Sequence, residues 1–581
     1  MSRWFFLKKL RKYLRGFERE CVLGPLFKLL EASFELMIPL VVARIVDVGI
    51  AENDRSKILL YCLIMIGLGV VGLLCSVTAQ WFAAKAAVGF STRLRRGVME
   101  NLLSLSYSQM DRIGASTMIT RLTNDINQVQ NGLNLTIRLL LRSPFVVFGA
   151  MIMAFTIDFK AALVFVGVIP ILSLVVFGIM LSTMPMYKRV QQGLDHVTSA
   201  TRENLEGVRV LRAFCKEDSE VRDFRSTTQD LTDRQLKAGR ISALLNPLTF
   251  VIINLAVVIL VKIGAIQVQQ GILTQGLVIA LYNYMSQILV ELIKLANLII
   301  TMTKAAACAK RVSGVLELTT DQADGSLSAD DLQGSVEFRD VSIQYSGAGA
   351  PSLEHISFCA EPGQTIGVIG STGSGKSTLV NLIPRLYDCT EGDLLLDGRP
   401  AGDYQLSSLR SRIGTVPQSA RLFGGTIRSN LLWGNEQATE KDLIQALKTA
   451  QAYEILDSRP EGLDAPVSQG GVNFSGGQRQ RLTIARALVR KPRILILDDS
   501  ASALDFATDA ALRKAIRSLP QPPTTFIVSE RASAVRYADR ILVLEDGHLV
   551  GSGTHESLIR SCPVYQEICQ SQNALEVTIH D

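Results

Sequence analysis

The sequence has few histidines and tryptophans, and its cysteines are scattered. It contains nine cysteines without a CxxC pair, five histidines and three tryptophans in 581 residues. This spacing offers no recognisable cluster of metal ligands. The net charge of +6 is small for the length, so we expect no nucleic-acid partner. No short apolar core with a small-residue cleavage site follows the first residues, so we expect no cleavable signal peptide.

What the sequence has in quantity is long apolar runs. Hydrophobic residues make up 48% of the chain and charged residues 20%, which suits a membrane domain joined to a soluble one. The long segments 85–133 and 186–242 are basic and helix-patterned, so we expect them and both termini in the cytoplasm. The basic residues at 8–15 could form a nucleic-acid patch, but their place before an apolar run favours a cytoplasmic flank. The predicted membrane spans lie roughly at 22–50, 57–84, 134–156, 160–185, 243–268 and 275–303.

Charged residues interrupt several of these predicted spans. Such charges are costly unless they face the bundle interior, water or a partner charge. The pair in the third span is expected to snorkel towards the cytoplasmic end. The pair in the sixth span is spaced i,i+3 and can form an ion pair on one helix face, and whether it lines a substrate cavity is left open. The interrupting residues include Glu31, Glu35, Arg138, Arg142, Glu291 and Lys294.

The composition changes after the last apolar run. We predict a membrane domain over 1–317 and an acidic, small-residue linker over 318–334. Short apolar strands then alternate with helical segments over 335–570, which predicts an α/β domain. Residues 571–581 are interpreted as a C-terminal tail.

A phosphate-binding motif lies near the start of the α/β domain. A predicted strand at 365–369 leads into the pattern G-x-x-x-x-G-K-S, and an apolar helix follows. Glycines let backbone N–H groups approach phosphate oxygens, the lysine supplies a positive charge, and the serine hydroxyl can ligate Mg²⁺. The predicted nucleotide-binding residues are Gly370, Ser371, Thr372, Gly373, Ser374, Gly375, Lys376, Ser377 and Thr378.

Two further motifs follow in the same domain. The apolar strand at 494–498 ends in Asp498, which can hold the metal beside the phosphate loop through water. Before it, a serine and two glycines precede a basic amphipathic helix, which predicts a second anion site at a helix N-terminus. This second site consists of Ser475, Gly476, Gly477 and Gln478.

The order of these motifs resembles that of ATP-binding-cassette (ABC) transporters, and with the spans the chain resembles a type IV exporter half-transporter. The resemblance implies an all-α six-helix transmembrane domain followed by an α/β P-loop nucleotide-binding domain that uses ATP and Mg²⁺. It implies that Tyr345 stacks on adenine, although a lone tyrosine could be an ordinary strand residue, and that Gln418 senses the metal. The implied metal ligands are Ser377, Gln418 and Asp498, and the implied D-loop is Ser502, Ala503, Leu504 and Asp505.

The resemblance also implies an assembly. Two nucleotide domains close head to tail, so that the signature 475–478 of one chain reaches ATP held by the other. A second half-transporter is therefore an implied partner, together with the lipid bilayer and a small amphipathic substrate. Short coupling helices near 105–116 and 207–217 would transmit closure of the nucleotide domains to the spans.

Two positions depart from the family pattern. Asp499 stands where a glutamate normally acts as the general base, and its carboxylate is about 1.5 Å shorter in reach. A misplacement of about 1 Å can cost on the order of 100-fold in rate. Glu530 stands where a histidine normally contacts the γ-phosphate, and we expect its carboxylate to turn away from the triphosphate, towards Arg531.

These departures resemble the degenerate subunit of bacterial heterodimeric multidrug exporters. The chain is then expected to bind ATP, hydrolyse it slowly at its own site and complete a competent site on a different subunit in the cell membrane of a bacterium. A homodimer with a slow but working ATPase is the plainer alternative. A soluble cassette ATPase is opposed by the predicted spans, whereas an importer or a nucleotide sensor on the same fold shares every motif.

Overall fold

The computed structural model describes residues 10–500 and 504–579, with side chains up to residue 572. Its internal contacts divide the chain into two units. The helical unit comprises Met1–Leu103 and Ser116–Leu318, and the α/β unit comprises Ser104–Ala115 and Thr319–Asp581. The predicted order, a helical domain followed by an α/β domain, is confirmed.

Long helices build the first unit. Five helical stretches of the described chain are long and apolar enough to cross a membrane, and they coincide with the second to sixth predicted spans. The first predicted span is also a helix, but its charges make it less apolar, so its crossing stays a prediction. The helices before the linker are Glu18–Arg44, Arg55–Ser104, Tyr107–Ile113, Ala115–Thr120, Ile126–Leu139, Arg142–Ile157, Phe159–Glu206, Val208–Ala213, Glu217–Ala243, Leu245–Gln269 and Gln275–Leu316.

A group of four charged residues, of which Arg142 and Glu291 are buried, ties three of these helices together. Arg142 donates to Glu291 at 2.6 Å and to Glu35 at 2.5 Å, so its guanidinium links Arg142–Ile157 to two other helices. Glu291 also accepts from Lys294 at 2.8 Å, which confirms the i,i+3 pair. The expectation that Arg142 snorkels to the membrane surface is wrong, because the residue is only 5% exposed and two carboxylates hold it inside the bundle. We call Glu35, Arg142, Glu291 and Lys294 the charged cluster.

The described part of the second unit contains twelve strands in three sheets. The strands are β1 Val336–Ile343, β2 Leu353–Ala360, β3 Thr365–Gly370, β4 Glu391–Leu396, β5 Arg399–Pro400, β6 Ile413–Val416, β7 Gly425–Thr426, β8 Pro466–Val467, β9 Ile494–Asp498, β10 Thr524–Val528, β11 Arg540–Glu545 and β12 His548–Gly553. A six-stranded sheet has the order β12-β11-β3-β10-β9-β6, and its four inner neighbours β11, β3, β10 and β9 run parallel, as does β6. A second sheet has the order β2-β1-β4-β5, and β7 pairs with β8.

Helices flank these sheets and leave the carboxyl ends of β3, β9 and β10 side by side. Such an edge of a parallel sheet is the usual place for a ligand site. The inner strands are fully buried because each is a continuous apolar run covered on both faces. The helices are Lys376–Leu382, Leu406–Ser411, Ile427–Leu432, Glu440–Thr449, Glu454–Asp457, Gly476–Val489, Phe506–Arg517, Ala532–Val535, His555–Ser561 and Pro563–Ile579.

Short helices stand at both places where coupling helices were predicted. The first is Tyr107–Ile113, which is capped by Ser106 because the Ser106 hydroxyl accepts from the backbone N–H of Gln109. The second short helix is Val208–Ala213. The linker packs against the rest of the α/β unit, because the side chain of Gln322 donates to the carbonyl of Arg385 at 2.9 Å. The final helix Pro563–Ile579 continues into the segment 571–581, whose interpretation as a tail stays a prediction.

Candidate functional site

The phosphate loop folds between β3 and the helix Lys376–Leu382, as the motif predicts. Gly370 is the last residue of β3, and a Cβ atom at this position would lie 2.1 Å from the carbonyl oxygen of Leu544. Gly375 has a φ of +96°, and its Cβ would lie 2.7 Å from the carbonyl oxygen of Ser352. Only glycine therefore fits at either end of the loop.

The lysine of the loop is held by acceptors of its own chain. Lys376 Nζ donates to the carbonyl oxygens of Gly370 at 3.0 Å and Ser371 at 2.6 Å. Its third partner is a carboxylate oxygen of Glu530 at 3.4 Å. The ammonium is nearly buried and lies inside the curve of the loop, which suits an electrostatic role towards phosphate oxygens.

The predicted metal ligands lie together at the end of β9. The hydroxyl of Ser377 donates to Asp498 at 3.0 Å, and Gln418 donates to the following residue, Asp499, at 3.4 Å. A hydroxyl, an amide and carboxylates are oxygen-bearing groups of the type that Mg²⁺ prefers. The donor set therefore fits Mg²⁺. Burial raises the pKa of the Asp498 carboxyl, and the positive charge of a metal ion would favour its ionised form.

Asp499 adopts an unusual backbone conformation. Its φ is +45°, in the left-handed region that residues other than glycine seldom adopt. Its N–H donates to the carbonyl of Val528 on the neighbouring strand β10 at 3.0 Å, which holds the turn in place. Asp499 thus directly follows the predicted metal ligand Asp498, where the family's general base would stand.

Glu530 faces the phosphate loop. Its carboxylate accepts from the hydroxyl of Thr372 at 2.8 Å and from Lys376, and the Thr372 contact keeps the pKa of Glu530 below its usual range. The expectation that Glu530 turns towards Arg531 is wrong for this structure. Repulsion by a triphosphate is the basis of that expectation. The loop itself, however, presents a hydroxyl donor and a positive charge to the carboxylate, and both attract it.

Tyr345 lies beside the phosphate loop helix and belongs to an aromatic group that the sequence did not predict. Its hydroxyl donates to Thr378 at 3.1 Å, and its ring meets the ring of Tyr387 edge to face, with 4.9 Å between centroids. Tyr387 in turn donates to Asp111 at 2.5 Å, and its ring lies near that of Tyr107. The helix Tyr107–Ile113 therefore contacts the surroundings of Tyr345. Neither residue 387 nor residue 111 belongs to a recognisable motif.

The signature residues stand at the start of a different helix. Ser475 accepts from the N–H of Gln478 at 3.3 Å and caps the helix Gly476–Val489, while a Cβ at Gly476 would meet no atom within 4 Å. Among the described residues, no hydrogen bond or ion pair joins 475–478 to the phosphate loop 370–378. This chain therefore presents an open helix N-terminus, with room for an anion.

The structure describes two of the four residues of the predicted D-loop, Leu504 and Asp505. Ser502 and Ala503 lie outside the described residues. Leu504 is partly buried against the core of the α/β unit, and Asp505 caps the helix Phe506–Arg517 by accepting from the N–H of Thr508 at 2.9 Å.

Comparisons with known proteins agree with this arrangement. The family described as "ABC transporter transmembrane region" matches residues 21–292, and the family described as "ABC transporter" matches residues 353–502. The uncharacterized ABC transporter ATP-binding protein YfiB of Bacillus subtilis is 36% identical over 97% of this chain and 98% of its own length. An uncharacterized ABC transporter ATP-binding protein of Mycobacterium tuberculosis is 36% identical over 98% of both chains. The ATP-dependent lipid A-core flippase of Yersinia pestis is 27% identical over 98% of both.

A phosphate loop, a carboxylate-ended strand and a capped signature helix thus share one α/β unit, and a unit of long apolar helices precedes them. Both family matches and relatives matched over nearly their full length give the same result. The chain belongs to the ABC transporter family and is an exporter half-transporter.

Proposed function

We propose that this chain is one subunit of an ATP-driven heterodimeric exporter, and that its own ATP site is degenerate. In this proposal Lys376, Ser377 and Asp498 bind ATP and Mg²⁺. Asp499 stands at the general-base position and supports only slow hydrolysis of the nucleotide. The signature that begins at Ser475 completes the competent site of a different subunit. When bound, Mg²⁺ supplies positive charge that stabilises the phosphates.

The observation that carries the proposal is that the nucleotide-binding groups lie together while two catalytic positions hold other residues than in the family pattern. These two residues are Asp499 and Glu530. The contact between Ser377 and Asp498 and the position of Lys376 support nucleotide binding. Asp499 is a methylene shorter than the usual base, and its turn is held by a backbone hydrogen bond to Val528, so the backbone has little freedom to make up the lost reach. Positioning errors of about 1 Å are costly in such reactions, so slow hydrolysis is the expected outcome.

Dimerisation follows from membership of the half-transporter family, and the identity of the partner is part of the proposal. The open signature helix supports a shared site, because within 10–500 and 504–579 no hydrogen bond or ion pair joins residues 475–478 to the phosphate loop of the same chain. The helix Arg55–Ser104 leaves its most apolar stretch 94% unburied within the chain, which suits contact with lipid and with a partner subunit. A partner that carries the usual glutamate and histidine would supply the fast site.

The proposed cargo is an amphipathic drug-like, lipid or peptide molecule that leaves the cytoplasm of a bacterium across the cell membrane. The relative named ATP-dependent lipid A-core flippase supports a lipid among these choices. We place the α/β unit and both termini in the cytoplasm because the long segments flanking the spans are basic.

The first experiment measures ATPase activity of the purified chain in lipid nanodiscs, alone and with a partner half-transporter encoded beside it. We expect little activity alone and strong activity in the pair. The double variant Asp499→Glu/Glu530→His should raise hydrolysis at this chain's site, whereas the exposed control Glu361→Gln should not. Turnover by the chain alone that equals the pair's would contradict the degenerate site and favour a working homodimer.

A flux assay then separates export from its alternatives. Inside-out vesicles that contain the pair should accumulate a fluorescent amphiphile when ATP is added. Depletion of the probe from the vesicle interior would indicate an importer, and ATP hydrolysis without movement of any member of a drug, lipid and peptide panel would indicate a nucleotide sensor.

A further inference from the structure

The lysine of the phosphate loop contacts a carboxylate of the same chain. A lysine ammonium has three N–H donors, and Lys376 directs them to the carbonyls of Gly370 and Ser371 and to the carboxylate of Glu530. The same carboxylate oxygen of Glu530 accepts from Thr372 at 2.8 Å. Glu530 thus takes a position next to the groups that bind the outer phosphates of a nucleotide.

The backbone around Glu530 is held in place from two directions. Gln572, on the final helix, donates to the carbonyl of Glu530 at 2.7 Å and accepts from the N–H of Ala532 at 2.8 Å. On the strand side, the N–H of Ser529 donates to the carbonyl of Val368, the neighbour in β3, at 3.0 Å. The backbone therefore directs this residue towards the loop, and only its side-chain torsions let the carboxylate leave.

We propose that Glu530 is an intramolecular substitute for the terminal phosphate and makes this site discriminate against ATP relative to ADP. A carboxylate presents negative charge and acceptor oxygens to the same lysine that a γ-phosphate needs. Triphosphate must displace it or bear its repulsion, whereas a diphosphate places less charge beside it. The proposal deepens the proposed function, since it assumes that this chain's own site binds nucleotide, but it concerns selection among nucleotides and not the rate of hydrolysis.

The size of the effect follows from exposure. The Glu530 side chain is 54% exposed, so water screens its repulsion and the carboxylate can swing outward. We therefore expect removal of the charge to strengthen ATP binding on the order of tenfold, which is a partial and not a complete block. The effect on ADP should stay within about twofold, because the γ-phosphate carries the extra charge.

The test uses the full chain in nanodiscs with Mg²⁺ and measures the affinities of ATP and ADP by competition against a fluorescent ATP analogue. Glu530→Gln keeps the shape and removes the charge, and Glu530→His removes the charge with a different shape. Both should raise the preference for ATP over ADP about fivefold or more. The control Glu361→Gln makes the same charge change at an exposed position before β3, and it should leave the preference unchanged.

Three results would overturn the inference. An unchanged preference in both Glu530 variants would show that the carboxylate does not select between nucleotides. Weaker ATP binding in Glu530→Gln would show that it assists binding. An equal gain for ATP and ADP would assign its effect to the inner phosphates. Each outcome is read from affinity measured before appreciable hydrolysis, so fast turnover by the isolated chain, which would refute the degenerate site, is distinguishable from failure of this inference.

Discussion

Replacement of Arg142 by methionine tests the charged cluster most directly. Arg142 is 5% exposed and its guanidinium contacts Glu35 and Glu291, so its removal takes away one partner of a buried ion pair. Such a loss typically costs about 3–5 kcal/mol. Glu291 retains Lys294 and the hydroxyl of Ser143 as donors, and the Glu35 side chain is 35% exposed, so we expect the lower end, about 3 kcal/mol.

This loss should be visible as a lower melting temperature. At about 2–4 °C per kcal/mol for a unit of this size, Arg142→Met should melt about 6–12 °C below the parent chain. Unfolding of such a chain is expected to be irreversible, so all variants are compared at one scan rate by intrinsic fluorescence in detergent.

The matched control is Arg96→Met, which removes an exposed guanidinium that pairs with Glu100 at 2.8 Å on the same helix. An exposed pair contributes roughly 0–1 kcal/mol, so the melting temperature of this control should change by no more than about 4 °C. A drop for Arg142→Met no larger than that of the control would refute the reasoning, because the cluster would then contribute nothing beyond a surface pair.

Three other predictions concern the nucleotide unit. Gly370→Ala places a Cβ 2.1 Å from the carbonyl oxygen of Leu544, so ATP binding should fall more than about tenfold in a fluorescence titration; near-normal affinity would contradict the tight fit. Tyr387→Phe removes the hydrogen bond to Asp111, and since such a bond is worth about 1 kcal/mol, hydrogen exchange in Tyr107–Ile113 should speed up about fivefold; unchanged exchange would contradict its role. Ser475→Ala removes a helix cap and should lower ATPase activity of the proposed pair while ATP affinity at this chain's own site stays unchanged; a matching loss of that affinity would contradict the shared-site arrangement.

Local motifs were the part of the site that could be predicted from the sequence. The phosphate loop and Asp498 are predictable because strand, glycine turn and helix follow one another within a few residues, and the backbone conformation is encoded where the motif lies. The same holds for the serine cap of the signature helix. These features need no knowledge of distant partners, and the structure places each of them at the expected element.

Contacts between distant segments could not be predicted in this way. The sequence alone favours snorkelling for Arg142, because its partner Glu291 lies 149 residues away and nothing near Arg142 in the sequence indicates this pairing. The direction of Glu530 depends on Thr372, 158 residues earlier, and Tyr387 meets Asp111 across 276 residues. The Thr372 hydroxyl and the Lys376 ammonium that attract this carboxylate carry no signal in the sequence around Glu530.

The charged cluster also has a consequence for biosynthesis. Glu35 is translated 107 residues before Arg142, and Arg142 is translated 149 residues before Glu291. At about 5–20 residues per second, the last interval alone lasts roughly 7–30 s. Since unpaired charges are costly inside a bilayer, we expect Glu18–Arg44 and Arg142–Ile157 to stay side by side until Gln275–Leu316 is made. A ribosome that stalls before Gln275–Leu316 is made would therefore leave Arg142 paired with Glu35 but without its second carboxylate partner, Glu291.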